Sequence, residues 1–240
     1  PHPMRAAQLM GSRRPESSVP PVPEWPVSVV PSAAVGGGPL LLWIRAFAPG
    51  QPVPCPAPTD LEEAGHPVAT LDLPLRWGDD ATPGGLHGQI VDAVEDVRKR
   101  WDGPVVVGGH SFAATLALYA LAHIPGLASA IACSGCYNRS LTPTGFHYEK
   151  RTYWDAPDIY DAFSALRFAD RIDRPVLLVH GAEDRNPATP PEQTIGLYRA
   201  VVAAGGRARL VLLPHEGHEF RYRETHEALA REHRDWLGRF

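Results

Sequence analysis

Short apolar runs recur along the chain after residue 38, and segments with a helical period separate them. Within each run successive residues are apolar instead of alternating with polar ones, which is typical of strands buried on both faces of a parallel sheet. The runs lie at residues 40–44, 68–73, 105–107, 128–133, 176–179 and 210–213. Each of them is therefore predicted to be a buried β-strand.

Between these runs, apolar residues recur at the three- and four-residue spacings of amphipathic helices. In the clearest case Ile90, Val94, Val97 and Trp101 fall on one face, and charged side chains occupy the other. Further helices are predicted over residues 112–123, 193–204 and 224–237. The alternation of strand and helix from about residue 40 onward predicts the α/β class, with a doubly wound, mostly parallel sheet flanked by helices.

The first 38 residues have a different character. They contain many prolines with serine and glycine between them, and they show neither the strand nor the helix period. Such a composition predicts a poorly ordered or surface-draped arm over residues 1–38, followed by one domain over residues 39–240.

Composition and charge narrow the range of partners. The formal net charge is −4 and the longest basic block is only residues 98–100, so no nucleic-acid partner is expected. No apolar run reaches the roughly 18 residues of a membrane helix, and no basic segment followed by an apolar one marks a leader. We therefore expect a cytoplasmic protein without a membrane partner, and its oligomeric state stays open.

The cysteines add little chemistry. Cys55, Cys133 and Cys136 are too few, and odd in number, for a disulfide framework, which fits a reducing compartment. Cys133 and Cys136 have C-x-x-C spacing, but without a second pair they are more typical of small apolar residues at a strand end than of a zinc or redox site.

One junction between a predicted strand and a predicted helix carries a candidate nucleophile. The segment from residue 105 reads VVVGGHSFAATLALYA, in which GHSFA matches the nucleophile-elbow pattern G-x-S-x-G with alanine in the last place. Small residues are needed two positions before and after the serine because the chain turns sharply there. The pattern predicts Ser111 as nucleophile and the amide of Phe112 as an oxyanion donor. The alternative is a serine that only caps the helix.

An elbow requires an acid and then a histidine on later loops, and both are present in that order. Asp184 follows the run at 176–179, and His218 follows the run at 210–213. We predict that His218 is the general base and that Asp184 orients it. His215 and His218 also form an H-x-x-H pair, but a metal site needs a third ligand and zincin pairs have helical spacing. A polar loop is the other alternative, and we predict no metal and no cofactor.

Two C-terminal stretches, HGAEDRNP and LPHEGHEF, resemble the signature of the prolyl oligopeptidase (S9) family of serine peptidases. The stretches GGHSFA and SGCYNRSLTPTGFHYEKRTYWDAP are most similar to the glutamyl endopeptidase branch of that family. The resemblance implies an α/β-hydrolase fold with Ser111, Asp184 and His218 as the catalytic triad.

The chain departs from that family in two places. Relatives usually carry a β-propeller ahead of the catalytic domain, and a short proline-rich arm stands there in this sequence. Their early strand often supplies a tyrosine to the oxyanion hole, whereas this segment reads LLLWIRAFAPG. We predict that Arg45, or a backbone amide near it, is the second oxyanion donor.

The segment over residues 137–154 is rich in aromatic side chains and lies where hydrolases of this fold insert specificity elements. It predicts an aromatic pocket with an arginine for a carboxylate. The predicted substrate-binding residues are Tyr137, Arg139, Phe146 and Trp154. The alternative is that these aromatic side chains only pack the segment onto the domain.

These features favour an acyl-transfer enzyme that works through an acyl ester on Ser111. The expected substrate is a small molecule, a peptide or a carrier-protein-bound acyl group, with an ester, thioester or amide as donor. The richness in Ala, Arg and Pro is compatible with specialised metabolism. The alternatives are an S9-like peptidase or amidase, and a non-catalytic binding or scaffold protein with the hydrolase fold.

Overall fold

The computed structural model describes residues 38–47, 58, 61–62 and 65–240. The predicted N-terminal arm lies outside the described residues except for Gly38, and so does Cys55. In the described part of the chain, the strands form a six-stranded sheet in which every neighbouring pair is parallel. The strands are β1 (Leu40–Phe47), β2 (Val68–Pro74), β3 (Val105–His110), β4 (Ser129–Cys133), β5 (Val176–Gly181) and β6 (Ala208–Leu213).

The strand order is β2-β1-β3-β4-β5-β6, so β3 lies near the middle of the sheet. The α-helices in residues 65–240 are α1 (Pro83–Lys99), α2 (Phe112–His123), α3 (Pro157–Ala162), α4 (Pro191–Ala203) and α5 (Arg223–Leu237). This arrangement confirms the predicted doubly wound parallel sheet.

The two faces of the sheet bury two separate apolar clusters. On β1, Leu40 and Leu42 face the cluster that includes side chains of α1, α2 and α4. Leu41 and Trp43 face the opposite cluster, which includes residues of α5. Because successive strand residues point to opposite faces, an uninterrupted apolar run is what a sheet covered on both sides requires.

Strand β6 departs from the predicted burial. It pairs with β5 on one side only, and Arg209 and Leu212 on it are exposed. The apolar run in the sequence therefore indicated the strand correctly but overstated how completely it is covered.

The chain between β4 and β5 forms an irregular insertion with short helical turns at Arg139–Leu141 and Ala165–Arg171. The buried Glu149 fixes it to the loop after β2. Its Oε2 accepts hydrogen bonds from Arg151 Nη2 at 2.7 Å and from Trp77 Nε1 at 3.2 Å. Arg151 also donates to the carbonyl oxygen of Ala81 at 2.9 Å. The insertion is thus held over the carboxyl end of the sheet.

None of the helices in the described ranges combines the length and the hydropathy that crossing a membrane demands.

Candidate active site

Ser111 stands at the sharp turn between β3 and α2. Its φ of 59° lies in the left-handed region, which is strained for a residue with a side chain. Its amide donates to the carbonyl of Cys133 at 2.8 Å, which fixes the turn against β4. A Cβ on Gly109 would lie 2.6 Å from the main chain of Ala113, so glycine is required where the helix folds back.

The hydroxyl of Ser111 makes no helix-capping hydrogen bond. Instead, its Oγ lies 3.0 Å from Nε2 of His218, and Nδ1 of that ring lies 2.8 Å from Oδ2 of Asp184. The structure therefore brings the three predicted triad residues together as one hydrogen-bonded chain. With the proton on Nδ1, the ring donates to Asp184 and presents Nε2 as an acceptor for the serine proton.

Asp184 is buried and richly hydrogen-bonded. Its Oδ1 accepts from the amide of Asn186 at 2.8 Å, and its Oδ2 accepts from Thr189 Oγ1 at 3.0 Å. Burial raises the pKa of Asp184, but the hydrogen bonds from His218 and Asn186 outweigh it and hold the pKa below its usual range. The carboxylate is therefore ionised at neutral pH and stabilises a protonated His218.

Sequence reasoning missed His180, which lies on β5 with no exposed side-chain surface. Its Nε2 lies 3.0 Å from Oδ2 of Asp184 and 2.9 Å from the carbonyl oxygen of Thr189, and its Nδ1 contacts the hydroxyl of Thr194. Burial lowers the pKa of His180 despite the carboxylate beside it. The sequence did contain one indication of this residue, because His180 is a polar residue at the end of the otherwise apolar run VLLVHG.

The loop that carries His218 is anchored from both sides. His110 Nε2 donates to the carbonyl oxygen of His218 at 2.7 Å, and the two ring centroids are 4.9 Å apart. Burial lowers the pKa of His110 to about 4, so its ring is neutral at neutral pH. On the other side, the buried carboxylate of Glu216 accepts from the amides of Arg221 and Tyr222, each at 2.9 Å.

His215 does not join this site. Its side chain is 80% exposed, and its Nδ1 lies 3.2 Å from Oε1 of Glu183. Among the described residues, no group of three or more His, Cys, Asp and Glu side chains is placed to hold a metal ion. The H-x-x-H spacing therefore separates one ring beside the serine from one ring on the surface.

The predicted oxyanion donors have different surroundings. Phe112 is the first residue of α2, so its amide has no acceptor within the helix and lies at the positive end of the helix dipole. Arg45 lines the same cavity as Ser111, but its Nη2 and its Nε both lie 2.6 Å from Oδ1 of Asp72. The guanidinium is therefore paired within the sheet, and the chain directly after Phe47 lies outside the described residues.

A cavity opens beside Ser111 and His218. Its walls include Ile44, Ala46, Phe112, His147 and Glu219. His147 was not predicted as a site residue, because a single histidine inside an aromatic segment carries no motif. Its ring packs edge-on to Phe112 with centroids 4.6 Å apart.

The four predicted substrate-binding residues do not line this cavity. Tyr137 is completely buried, Arg139 and Phe146 are also buried, and Trp154 is 74% exposed. The physical reason is that the aromatic rings of the insertion pack on each other and on Trp77, so the segment turns most of its apolar surface inward.

Comparison with known proteins agrees with this geometry. The prolyl oligopeptidase family model matches residues 102–240. Over 152 residues the chain is 42% identical to a probable chloroplastic glutamyl endopeptidase of Arabidopsis thaliana, which covers 62% of this chain and 16% of that protein. It is 40% identical over 137 residues to the corresponding protein of Oryza sativa subsp. japonica, covering 57% of this chain and 15% of that one. The chain thus spans about a sixth of the length of these relatives.

Among solved structures, a putative dipeptidyl aminopeptidase IV from Bacteroides ovatus superposes with a TM-score of 0.69. The match covers 84% of this chain and 31% of that one at 15% identity, so it supports a shared fold and nothing more. The fold is that of the α/β hydrolases, as the sequence resemblance implied. Since the family model spans more than half of the residues, this chain belongs to the prolyl oligopeptidase family.

Proposed function

We propose that the chain is the catalytic part of a serine peptidase that cleaves peptide bonds through an acyl ester on Ser111. The observation that carries this proposal is the continuous hydrogen-bonded chain from Ser111 Oγ through His218 to Asp184, with distances of 3.0 and 2.8 Å. The elbow supports it, because Ser111 is one of the non-glycine residues held at positive φ, a costly conformation, and its Oγ is the atom that meets His218.

The first half of the reaction forms the acyl-enzyme. His218 Nε2 takes the proton from Ser111 Oγ as that oxygen attacks the carbonyl carbon of the scissile bond. The carbonyl oxygen becomes an oxyanion, which the amide of Phe112 stabilises at the start of α2. When the C–N bond breaks, His218 returns the proton to the leaving amine, and the acyl group stays on Ser111.

In the second half, water replaces the amine. His218 removes a proton from water, the resulting oxygen attacks the ester carbonyl, and the proton passes to Ser111 Oγ as the acid product leaves. Asp184 remains ionised throughout and keeps Nδ1 of His218 protonated, so that Nε2 is the nitrogen that exchanges protons.

The relatives are named glutamyl endopeptidases. We accordingly propose peptides cleaved on the carboxyl side of glutamate as substrates. Peptide hydrolysis takes precedence over the broader activity expected from the sequence, hydrolysis or transfer of an acyl group from an ester, thioester or amide, because the family and the named relatives are peptidases.

The proposal is tested with a fluorophosphonate probe and a library of unlabelled peptides analysed by mass spectrometry. We expect the wild-type protein to be labelled and to cut peptides, and Ser111→Ala to lose labelling and about a thousandfold or more of turnover. Ser134→Ala is the matched control, because Ser134 is also a serine with positive φ at a strand end, but it is completely buried and its hydroxyl makes no hydrogen bond to His218. It should label normally.

The alternatives give different results. A non-catalytic scaffold takes up no probe. An acyltransferase forms product faster with an added amine, alcohol or thiol than with water, and it leaves the peptide library intact. Either result contradicts the peptidase.

A further inference from the structure

Resting on the proposed peptidase function, we propose that Arg139 is the specificity-determining residue that binds the side-chain carboxylate of the substrate residue whose carbonyl is attacked. Arg139 lies in the insertion between β4 and β5, and its side chain is only 3% exposed. It is therefore a cation held inside the domain, close to the nucleophile.

The partners of this cation are incomplete. Its Nη2 donates to Thr115 Oγ1 at 3.3 Å and the guanidinium also contacts the side chain of Cys136, whereas its Nε is buried without a hydrogen-bond partner. No carboxylate in the described part of the chain forms an ion pair with it. A buried charge without a counter-ion is costly, and a bound carboxylate would supply the missing one with the bidentate geometry that guanidinium prefers.

Its position relative to Ser111 suits this role. The guanidinium carbon lies 5.3 Å from the ring centroid of Phe112, the residue that follows the nucleophile, and 4.5 Å from that of Phe146. The guanidinium packs against both aromatic rings, and cation–π interactions with them stabilise it in part. Arg139 therefore contacts the ring of Phe112, which also lines the cavity beside Ser111.

His147 is a second cavity residue beside Phe112, and it is the ring that a substrate carboxylate must displace on its way to Arg139. Its ring lines the cavity beside Ser111 and packs on Phe112, with centroids 4.6 Å apart. Burial, with the charge of Arg139 adding to it, lowers the pKa of His147 to about 4, so the ring is neutral at neutral pH. A glutamate side chain entering from the cavity displaces a neutral ring and reaches the guanidinium.

Other arginines near the cavity do not offer the same site. Arg45 is paired with Asp72, and Arg151 is paired with Glu149 at 2.7 Å. Arg45 and Arg151 each already have a carboxylate counter-ion, which Arg139 lacks. A substrate carboxylate would therefore bind them more weakly than it binds Arg139.

The test compares substrates that differ only in charge. Peptides with glutamate or the isosteric glutamine before the scissile bond are assayed together with activated esters of the same two acyl groups. We expect wild type to prefer glutamate by about tenfold or more in kcat/KM, and Arg139→Met to lose about a hundredfold on glutamate while glutamine changes little. Arg139→Lys, which keeps the charge, should retain part of the preference.

Arg167→Met is the matched control, because it removes an arginine from the same insertion that pairs with Asp161 at 3.2 Å on the exposed surface. It should leave the glutamate-to-glutamine ratio unchanged. Fluorophosphonate labelling of Ser111 checks that each variant still assembles its triad. If Arg139→Met is not labelled, the glutamate-to-glutamine ratio of Arg139→Lys is the measurement that tests the role of Arg139.

The outcomes separate the two proposals. Turnover of esters but not of peptides refutes the peptidase and still reports on Arg139. A wild-type ratio near one, or a ratio that Arg139→Met leaves intact, overturns the role of Arg139 whatever bond is cleaved. Absence of turnover on every substrate refutes both.

Discussion

Ser111 is held in a left-handed backbone conformation, and its neighbours over-determine that conformation. The hydrogen bond from the Ser111 amide to the carbonyl oxygen of Cys133 and the close approach of Gly109 to Ala113 hold the turn in this conformation. The strain presents the hydroxyl to His218 and sets the amide of Phe112 beside it. One local turn thus carries both the proposed nucleophile and a proposed oxyanion donor.

Asp184 depends on its own supporting residue in the same way. His180 is a positioning residue, since it contacts the carboxylate and lies apart from the serine. We expect His180→Phe to lower kcat by about tenfold or more with little change in KM, because Asp184 loses a donor and holds His218 less firmly. Steady-state kinetics and the pH profile of kcat measure this effect. The amide of His180→Gln should restore part of the rate, and equal kcat in all three proteins would rule the role out.

At the scale of elements, the insertion between β4 and β5 depends on one buried carboxylate. Glu149 bonds to Arg151 and Trp77, so the insertion and the loop after β2 are joined at this point. Burial opposes ionisation of Glu149, but the hydrogen bonds from Arg151 and Trp77 outweigh it, and its pKa lies below the ordinary range. The walls of the cavity are therefore positioned by a contact outside the triad.

We expect Glu149→Gln to lower the free energy of unfolding by about 1–3 kcal/mol, because the charged hydrogen bonds of a buried group are lost. Urea unfolding followed by tryptophan fluorescence measures it. Glu95→Gln is the control, since Glu95 pairs with Lys99 on an exposed helix face at 3.6 Å, and its loss should cost about 0.5 kcal/mol or less. Equal costs for the two variants would contradict the joining role of Glu149.

The elements themselves were predictable from the sequence because burial on both faces of a parallel sheet leaves a continuous apolar run. Ser111, Asp184 and His218 were equally predictable, since each stands at a strand end whose position the pattern gives. The cavity wall was not predictable: whether Tyr137, Arg139 or His147 faces the serine depends on how distant aromatic rings pack, and no local spacing records that. His180 was hidden for a similar reason, because its partner is defined only by the folded loop.

At the scale of the whole molecule, buried ionisable groups make stability depend on pH. The pKa values of His110 and His147 fall from 6.5 to about 4 because burial disfavours their charged forms. The unfolded chain therefore binds protons at these rings in a range where the folded chain does not. Their contribution to stability is complete above pH 6.5 and is lost as the pH falls toward 4.

We expect the free energy of unfolding to decrease across this window and to fall further below it, where Asp184, Glu149 and Glu216 become protonated. Urea titrations at a series of pH values measure the slope. His147→Phe, which keeps an aromatic ring but binds no proton, should flatten the upper part of the curve. An unchanged slope in that variant would show that His147 does not contribute.

The triad joins residues that the ribosome makes at very different times. Ser111 precedes His218 by 107 positions, and β4, β5 and β6 lie between them. During translation the nascent chain therefore carries its serine before the imidazole that we propose as its base. The proposed activity can arise only when the loop after β6 has emerged and docked against His110, so a partly synthesised chain lacks it.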